Sequence, residues 1–112
     1  MSWHYDPHSG GNKIPPQIYE EIRAAVHSYE QTRPWYPKHS LKLRFKGQFC
    51  YVDSCENDYI SPLGRLRYFS KDQWSLGFFT YSNERYEPCF LANGKMCGSI
   101  ENAIRPCEVY LT

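Results

Sequence analysis

Between Leu41 and Lys46 the chain alternates strictly: Leu41, Leu43 and Phe45 are apolar, while Lys42, Arg44 and Lys46 are cationic. A period of two predicts a strand with one buried face. Gly47 supplies a turn, and residues 48 to 54 return as a second strand. Upstream the period changes. Ile18, Ile22, Ala25, Val26 and Tyr29 recur at spacings of three and four, which predicts a helix over residues 16 to 31 that starts at Pro15 and Pro16. Its other face carries Glu20, Arg23, His27 and Glu30, so one stripe is buried and the rest faces water.

The two prolines of RPWYPKHS, residues 33 to 40, end the helix and predict an extended connection to the sheet. CENDYISPLG, residues 55 to 64, reads as a polar loop, residues 65 to 69 as a third strand and Lys71-Asp72-Gln73 as a turn. In a fourth strand, residues 74 to 81, Trp74, Leu76 and Phe78 take one face and Phe79 and Tyr81 the other, the pattern of a strand covered on both sides. Residues 86 to 92 form a fifth, with Pro88 marking an edge or a bulge. Asn93-Gly94 predicts a hairpin returning through Cys97, and Ser99 caps a short helix, Ile100 to Arg105, that Pro106 ends. CEVYL closes the chain as a further turn or an added strand. The first thirteen residues, MSWHYDPHSGGNK, have no period and predict a loop-like arm pinned by Trp3 and Tyr5. Together these elements predict an α+β domain: an N-terminal helix packed on a twisted antiparallel sheet of about five to six strands, with a short C-terminal helix.

Composition narrows this picture. At 112 residues the chain suits a single domain. Thirteen basic and twelve acidic side chains leave a net charge of +1, so no global field draws the protein to nucleic acid or anionic membrane, and any such attraction is local. No stretch has the length of a signal-peptide core or a bilayer span, which predicts a soluble, cytoplasmic protein with no membrane partner. Five cysteines without a C-x-x-C pair predict unbridged, mostly buried thiols in a reducing compartment. The 17% aromatic content suits a sheet-rich core.

The segments GQFCYVDS, LRYFSKDQWSLGFFTYSNERYEPC and DPHSGGNKIPP together resemble a set of small uncharacterised bacterial proteins. The resemblance covers most of the chain and rests above all on QFCYVD and YSNERYEPC. It implies an intact single domain of bacterial origin, and it brings no activity, ligand or catalytic residue with it.

Several chemistries are weakly supported by spacing. Cys50 and Cys55 are four residues apart without a matching second pair, and their opposite parity points them to opposite strand faces, so neither they nor His4, His8, His27 and His39 predict a metal site. For a thiol nucleophile, Cys50 has the inward parity of Leu41 and Leu43, whereas Cys89 and Cys107, each after a proline, read as exposed and within possible reach of His27 or His39. Asp53, Glu56 and Asp58 lack the order of a calcium loop and read as a solvated turn. Pro34-Trp35-Tyr36-Pro37 has the P-x-x-P shape but reads as a stiff connection. Gly-rich phosphate loops, G-x-S-x-G and H-E-x-x-H are absent.

The basic row is the sharper feature. A tight turn at Lys46-Gly47 pairs Phe45 with Gln48, Leu43 with Cys50 and Leu41 with Val52, which puts Lys42 and Arg44 on one side with Phe49, Tyr51 and Asp53. If the third strand buries Leu66 and Tyr68, Arg65, Arg67 and Phe69 join them. Lys42, Arg44, Tyr51, Arg65 and Arg67 are therefore the candidate ligand-binding residues. Cations beside exposed rings suit single-stranded nucleic acid, and the same set suits an acidic protein partner. The competing readings are the ordinary wet face of a sheet, a one-residue slip or bulge that scatters the row, and a helix covering this side. The expected function is a small non-enzymatic binding or interaction module without a cofactor; the alternative is a small enzyme with a cysteine nucleophile.

Overall fold

The computed structural model describes residues 10–111. The expected anchors Trp3 and Tyr5, and with them His4 and His8, lie outside the described residues. A 3-10 turn, Pro16–Ile18, leads into α1 (Tyr19–Glu30); β1 (Ser40–Lys46), β2 (Phe49–Glu56), β3 (Tyr59–Ser70), β4 (Gln73–Thr80) and β5 (Arg85–Cys89) follow, and α2 (Ile100–Ile104) runs into a 3-10 turn, Arg105–Tyr110. The strands form one antiparallel sheet in the order β1-β2-β3-β4-β5. This is the expected α+β architecture, with five strands. Pro88 lies on an edge strand, where its missing N–H costs no inner ladder bond.

Glu20 and Glu21 in the first turn of α1 complement its dipole, and Ile22, Val26 and Tyr29 form the buried stripe. Ala25, expected on that stripe, is exposed. Glu30, expected on the polar face, is buried: one carboxylate oxygen accepts the Leu41 N–H at 2.8 Å, and the other lies 2.8 Å from His27 Nδ1. The acid caps an outward-facing backbone group of edge strand β1, which compensates its burial.

The β1–β2 hairpin turns at Gly47 and Gln48, with Gly47 at φ 59°, and pairs Lys46 with Phe49, Phe45 with Cys50 and Leu43 with Val52. The expected register is displaced by two residues. A shift of two changes every partner and leaves every side chain on its face. Residues 55 to 64 are not a loop but a second hairpin. Asn57 and Asp58 both adopt left-handed φ, 51° and 67°, as a tight two-residue hairpin turn requires. Pro62 is tolerated inside β3 because the register shifts there, opposite Val52 and Asp53, leaving Leu63 as the extra residue.

Two other connections differ from expectation. Residues 33 to 40 form successive turns rather than an extended link, with a cis Tyr36–Pro37 bond and a His39 N–H donated to the Trp35 carbonyl at 2.9 Å. Asn93-Gly94 makes a turn, closed by the Leu91 N–H on the Lys95 carbonyl at 2.8 Å, but no strand returns; Gly98 instead exchanges bonds of 2.8 and 3.1 Å with Trp74 on β4, past the end of β5. Of the two alternatives for the closing CEVYL segment the turn is the one observed: residues 107 to 110 belong to the 3-10 turn and Leu111 follows it. Ser99 caps α2 as expected, its hydroxyl accepting the Asn102 N–H at 3.3 Å.

The core lies between the helices and one sheet face. Ile22, Val26 and Tyr29 of α1 and Ala103 and Ile104 of α2 meet Cys50, Val52, Leu66 and Leu76. Each fully buried aliphatic side chain contributes about 1.5–3 kcal/mol. A Cβ on Gly64 would lie 2.9 Å from both Cys107 Sγ and Leu76 Cδ1, so this glycine lets the C-terminal turn sit directly on the sheet. Glu108 fastens that turn to α1 and the following connection, accepting the Tyr29 hydroxyl, Arg33 Nε at 2.9 Å and Trp35 Nε1 at 2.8 Å. No helix packs on the opposite sheet face among the described residues. As expected of a strand covered on both sides, β4 is buried on both of its faces, through Trp74 and Leu76 on one and Ser75 and Gly77 on the other.

Candidate nucleic-acid interface

Register fixes what the sheet face opposite the helices presents. β1 supplies Lys42, Arg44 and Lys46, which pair with Asp53, Tyr51 and Phe49 of β2; Tyr51 and Phe49 in turn pair with Arg65 and Arg67 of β3. All five sequence-predicted residues, Lys42, Arg44, Tyr51, Arg65 and Arg67, share this face. A ring row on β2 runs between two rows of cations. Among the described residues of β1 to β3, five cations against one carboxylate, Asp53, give this face a formal +4 in a chain of net charge +1. That is the local field which the overall composition conceals.

The cations lie on the rings. Arg44 is 4.7 Å from the Tyr51 centroid, Arg65 is 4.4 Å from that of Phe49 and 5.4 Å from that of Tyr86, and Arg67 is 4.7 Å from that of Phe49. Each such contact contributes about 0.5–1 kcal/mol at an exposed site. Arg44 also donates from Nε to Asp53 Oδ2 at 2.9 Å, and this bond raises its already high pKa further. Arg67 donates to the Gly10 carbonyl at 2.9 Å, where the chain passes the end of β3. Lys42 is exposed. A shallow basin of about 500 Å³ opens at the hairpin end of the face, bounded by Lys13, Lys46, Gln48, Phe49 and Tyr51.

Two contributors lie beyond the predicted set. Gly77 pairs with Arg65 and Pro88, and a Cβ there would sit 3.2 Å from the Tyr86 Cβ, so its bare backbone leaves room for Tyr86 to lean across β4. Tyr86 thereby reaches Tyr51, with centroids 5.7 Å apart. Burial raises the Tyr86 pKa, with Asp53 adding to the effect, so the ring stays neutral. Strand parity marks Phe79 as outward, but Tyr86 becomes visible only once β5 is paired with β4. Phe69 does not join the row: the register shifts between Tyr68 and Ser70, and Phe69 lines a separate depression with Gln73 and Lys95.

The other sequence candidates disperse. Cys50 is in the core as its parity predicts, but Cys107, expected to be exposed, is fully buried, and burial pushes both thiols up to about 12. Cys89 is half-buried, its pKa also raised by burial. Among the described residues no three His, Cys, Asp or Glu side chains group as a metal site would need. Asp53 pairs with Arg44, Glu56 lies 3.8 Å from both Lys38 and His39, and Asp58 forms the hairpin turn, so the three acids make no cluster. Trp35 of the P-x-x-P segment is buried, its indole donating to Glu108, and the segment is part of the successive turns between α1 and β1.

No protein family matches this chain, and no curated protein or solved structure does.

Proposed function

We propose that the protein is a non-enzymatic binding module that takes single-stranded nucleic acid on the sheet face opposite its helices. The observation that carries this is the flanking of the Phe49 and Tyr51 rings on β2 by Lys42, Arg44 and Lys46 on β1 and by Arg65 and Arg67 on β3. Cations answer phosphates, and aromatic rings or the guanidinium planes lying on them answer splayed bases. Duplex bases are already stacked on one another, so exposed rings favour the unstacked bases of a single strand. The buried, high-pKa thiols of Cys50 and Cys107 give the cysteine-enzyme alternative little support.

The test is fluorescence anisotropy of labelled single-stranded DNA and RNA across salt, beside a triple variant, Lys42→Gln, Arg65→Gln and Arg67→Gln, checked for native circular dichroism. Arg44 stays in place because Asp53 depends on it. Contact with about four phosphates predicts a log-log salt slope of about −3. The folded triple variant should lose most of the binding. No binding at low salt, or equal binding by the variant, overturns the proposal. Equal affinity for a polyglutamate peptide would reassign the face to an acidic protein partner.

A further inference from the structure

The charged part of the face is only half of its aromatic surface. From Tyr51 the rings continue to Tyr86 at 5.7 Å, from Tyr86 to Phe79 at 5.1 Å, from Phe79 to Tyr81 at 4.9 Å and from Tyr81 to Tyr110 at 5.1 Å, centroid to centroid. The track runs along β2, crosses β4 over Gly77, reaches Tyr81 in the turn after β4 and ends at Tyr110 in the C-terminal 3-10 turn. Arg65 against Tyr86 is the last cation on it; among the described residues no guanidinium or ammonium lies over Phe79, Tyr81 or Tyr110. The far rings are nevertheless accessible, Tyr81 at 47% and Tyr110 at 37%.

They are also held in place. The Tyr81 hydroxyl donates to the Pro62 carbonyl at 2.7 Å and the Tyr110 hydroxyl to the Phe79 carbonyl at 2.8 Å. Both hydroxyl protons are therefore engaged by the backbone, and since the Tyr110 ring is stacked on Phe78 at 5.2 Å, it is Tyr81 that presents ring surface rather than a base-reading donor. Pinned aromatic faces without charge bind by stacking, which every base can supply and which releases no counterions.

We infer that Phe79 and Tyr81 form a neutral stacking extension of the nucleic-acid face proposed above, on which that proposal's ligand continues past the cations. The ligand is then a single strand longer than the charged patch, held by phosphates at the β1–β2 hairpin end and by bases alone at the β4–β5 turn, with little preference for base identity along the extension.

The experiment measures affinity and salt slope for homothymidine strands of about three, six and nine nucleotides, within the site sizes of single-strand binders. The salt slope should level off by the middle length while affinity at fixed salt still rises. Tyr81→Ala should weaken the longest strand about tenfold, within the range for loss of one base stack, and leave the shortest unchanged. Tyr81→Phe, which keeps the ring and loses only the bond to Pro62, should retain most of the long-strand affinity and so separates stacking from fold. Slope and affinity levelling at one length, or equal loss by Tyr81→Ala at every length, overturns the extension while the charged face stands. No binding at any length overturns both.

Discussion

Asp53→Asn should tighten binding to a single strand while slightly weakening the fold. Asp53 is the one carboxylate among the five cations, with a side chain 6% exposed against 59% for Arg44. Its oxygens take Arg44 Nε at 2.9 Å and Nη2 at 3.5 Å, one good bond and one long one. Asparagine keeps the shape and a carbonyl acceptor for Nε but removes the charge, which leaves the Arg44 guanidinium, still stacked on Tyr51, available to a phosphate. One more phosphate contact on a single strand steepens the salt slope by about 0.7, so a fourfold dilution of salt should raise the variant's affinity about 2.5-fold more than the wild type's. The fold should lose about 1 kcal/mol or less, because water reaches the arginine side of the pair. Anisotropy titrations at several salt concentrations and urea unfolding read the two effects separately. Equal slopes for the two stably folded proteins would refute the reasoning that the charge of Asp53 holds Arg44 back from a phosphate.

Three further outcomes follow from packing and burial. Gly64→Ala should cost about 1–3 kcal/mol, as overpacking does, since its Cβ would meet Cys107 Sγ and Leu76 Cδ1 at 2.9 Å; in a Cys107→Ala background urea unfolding should show a smaller cost, and simple additivity would refute the contact. Burial alone would raise the Glu108 pKa, but the bonds from Tyr29, Trp35 and Arg33 outweigh it and hold the carboxyl below its ordinary value of 4.5. Its contribution is therefore complete above that value and fades as pH falls through the folded pKa, so Glu108→Gln should cost about 2 kcal/mol at neutral pH and progressively less in acid; a cost independent of pH would sink this account. Cys50 and Cys107, fully buried with thiols near 12, should resist a thiol reagent at mildly alkaline pH until the protein unfolds, and rapid modification of all five cysteines in the native state would contradict their placement.

The face was legible in the sequence because it depends only on parity. The alternation of Leu41, Leu43 and Phe45 with Lys42, Arg44 and Lys46 survives a two-residue error in register, since only an odd slip moves a side chain across the sheet. What single-strand periodicity could not carry were features created by a second strand or by local backbone geometry. Asn57-Asp58 lacks the glycine that advertises a tight hairpin, and Pro62 argues against a strand unless a bulge absorbs it; the sheet supplies that bulge. Pro106 suggested an exposed Cys107, whereas the 3-10 turn aims the thiol at the space that Gly64 leaves. Glu30 has the sequence position of a solvated helix acid and is buried because an edge-strand N–H needs an acceptor there.

A sheet face with a row of rings and no helix packed on it among the described residues would ordinarily invite aggregation, and two features of this fold oppose that. At the edges, the Leu41 N–H of β1 is already taken by Glu30, and β5 is short and carries Pro88, so strand addition is disfavoured on both sides. On the face itself, the guanidinium groups of Arg44, Arg65 and Arg67 lie against Tyr51, Phe49 and Tyr86, covering apolar surface with charge that remains in contact with water. The same stacks order the arginine side chains before any ligand arrives, which reduces the entropy lost when a phosphate or a base engages them. Phe79 and Tyr81 have no such cover. Their pinning by the Pro62 and Phe79 carbonyls through Tyr81 and Tyr110 supplies order without charge, so the two halves of the face should respond to salt differently within one strand.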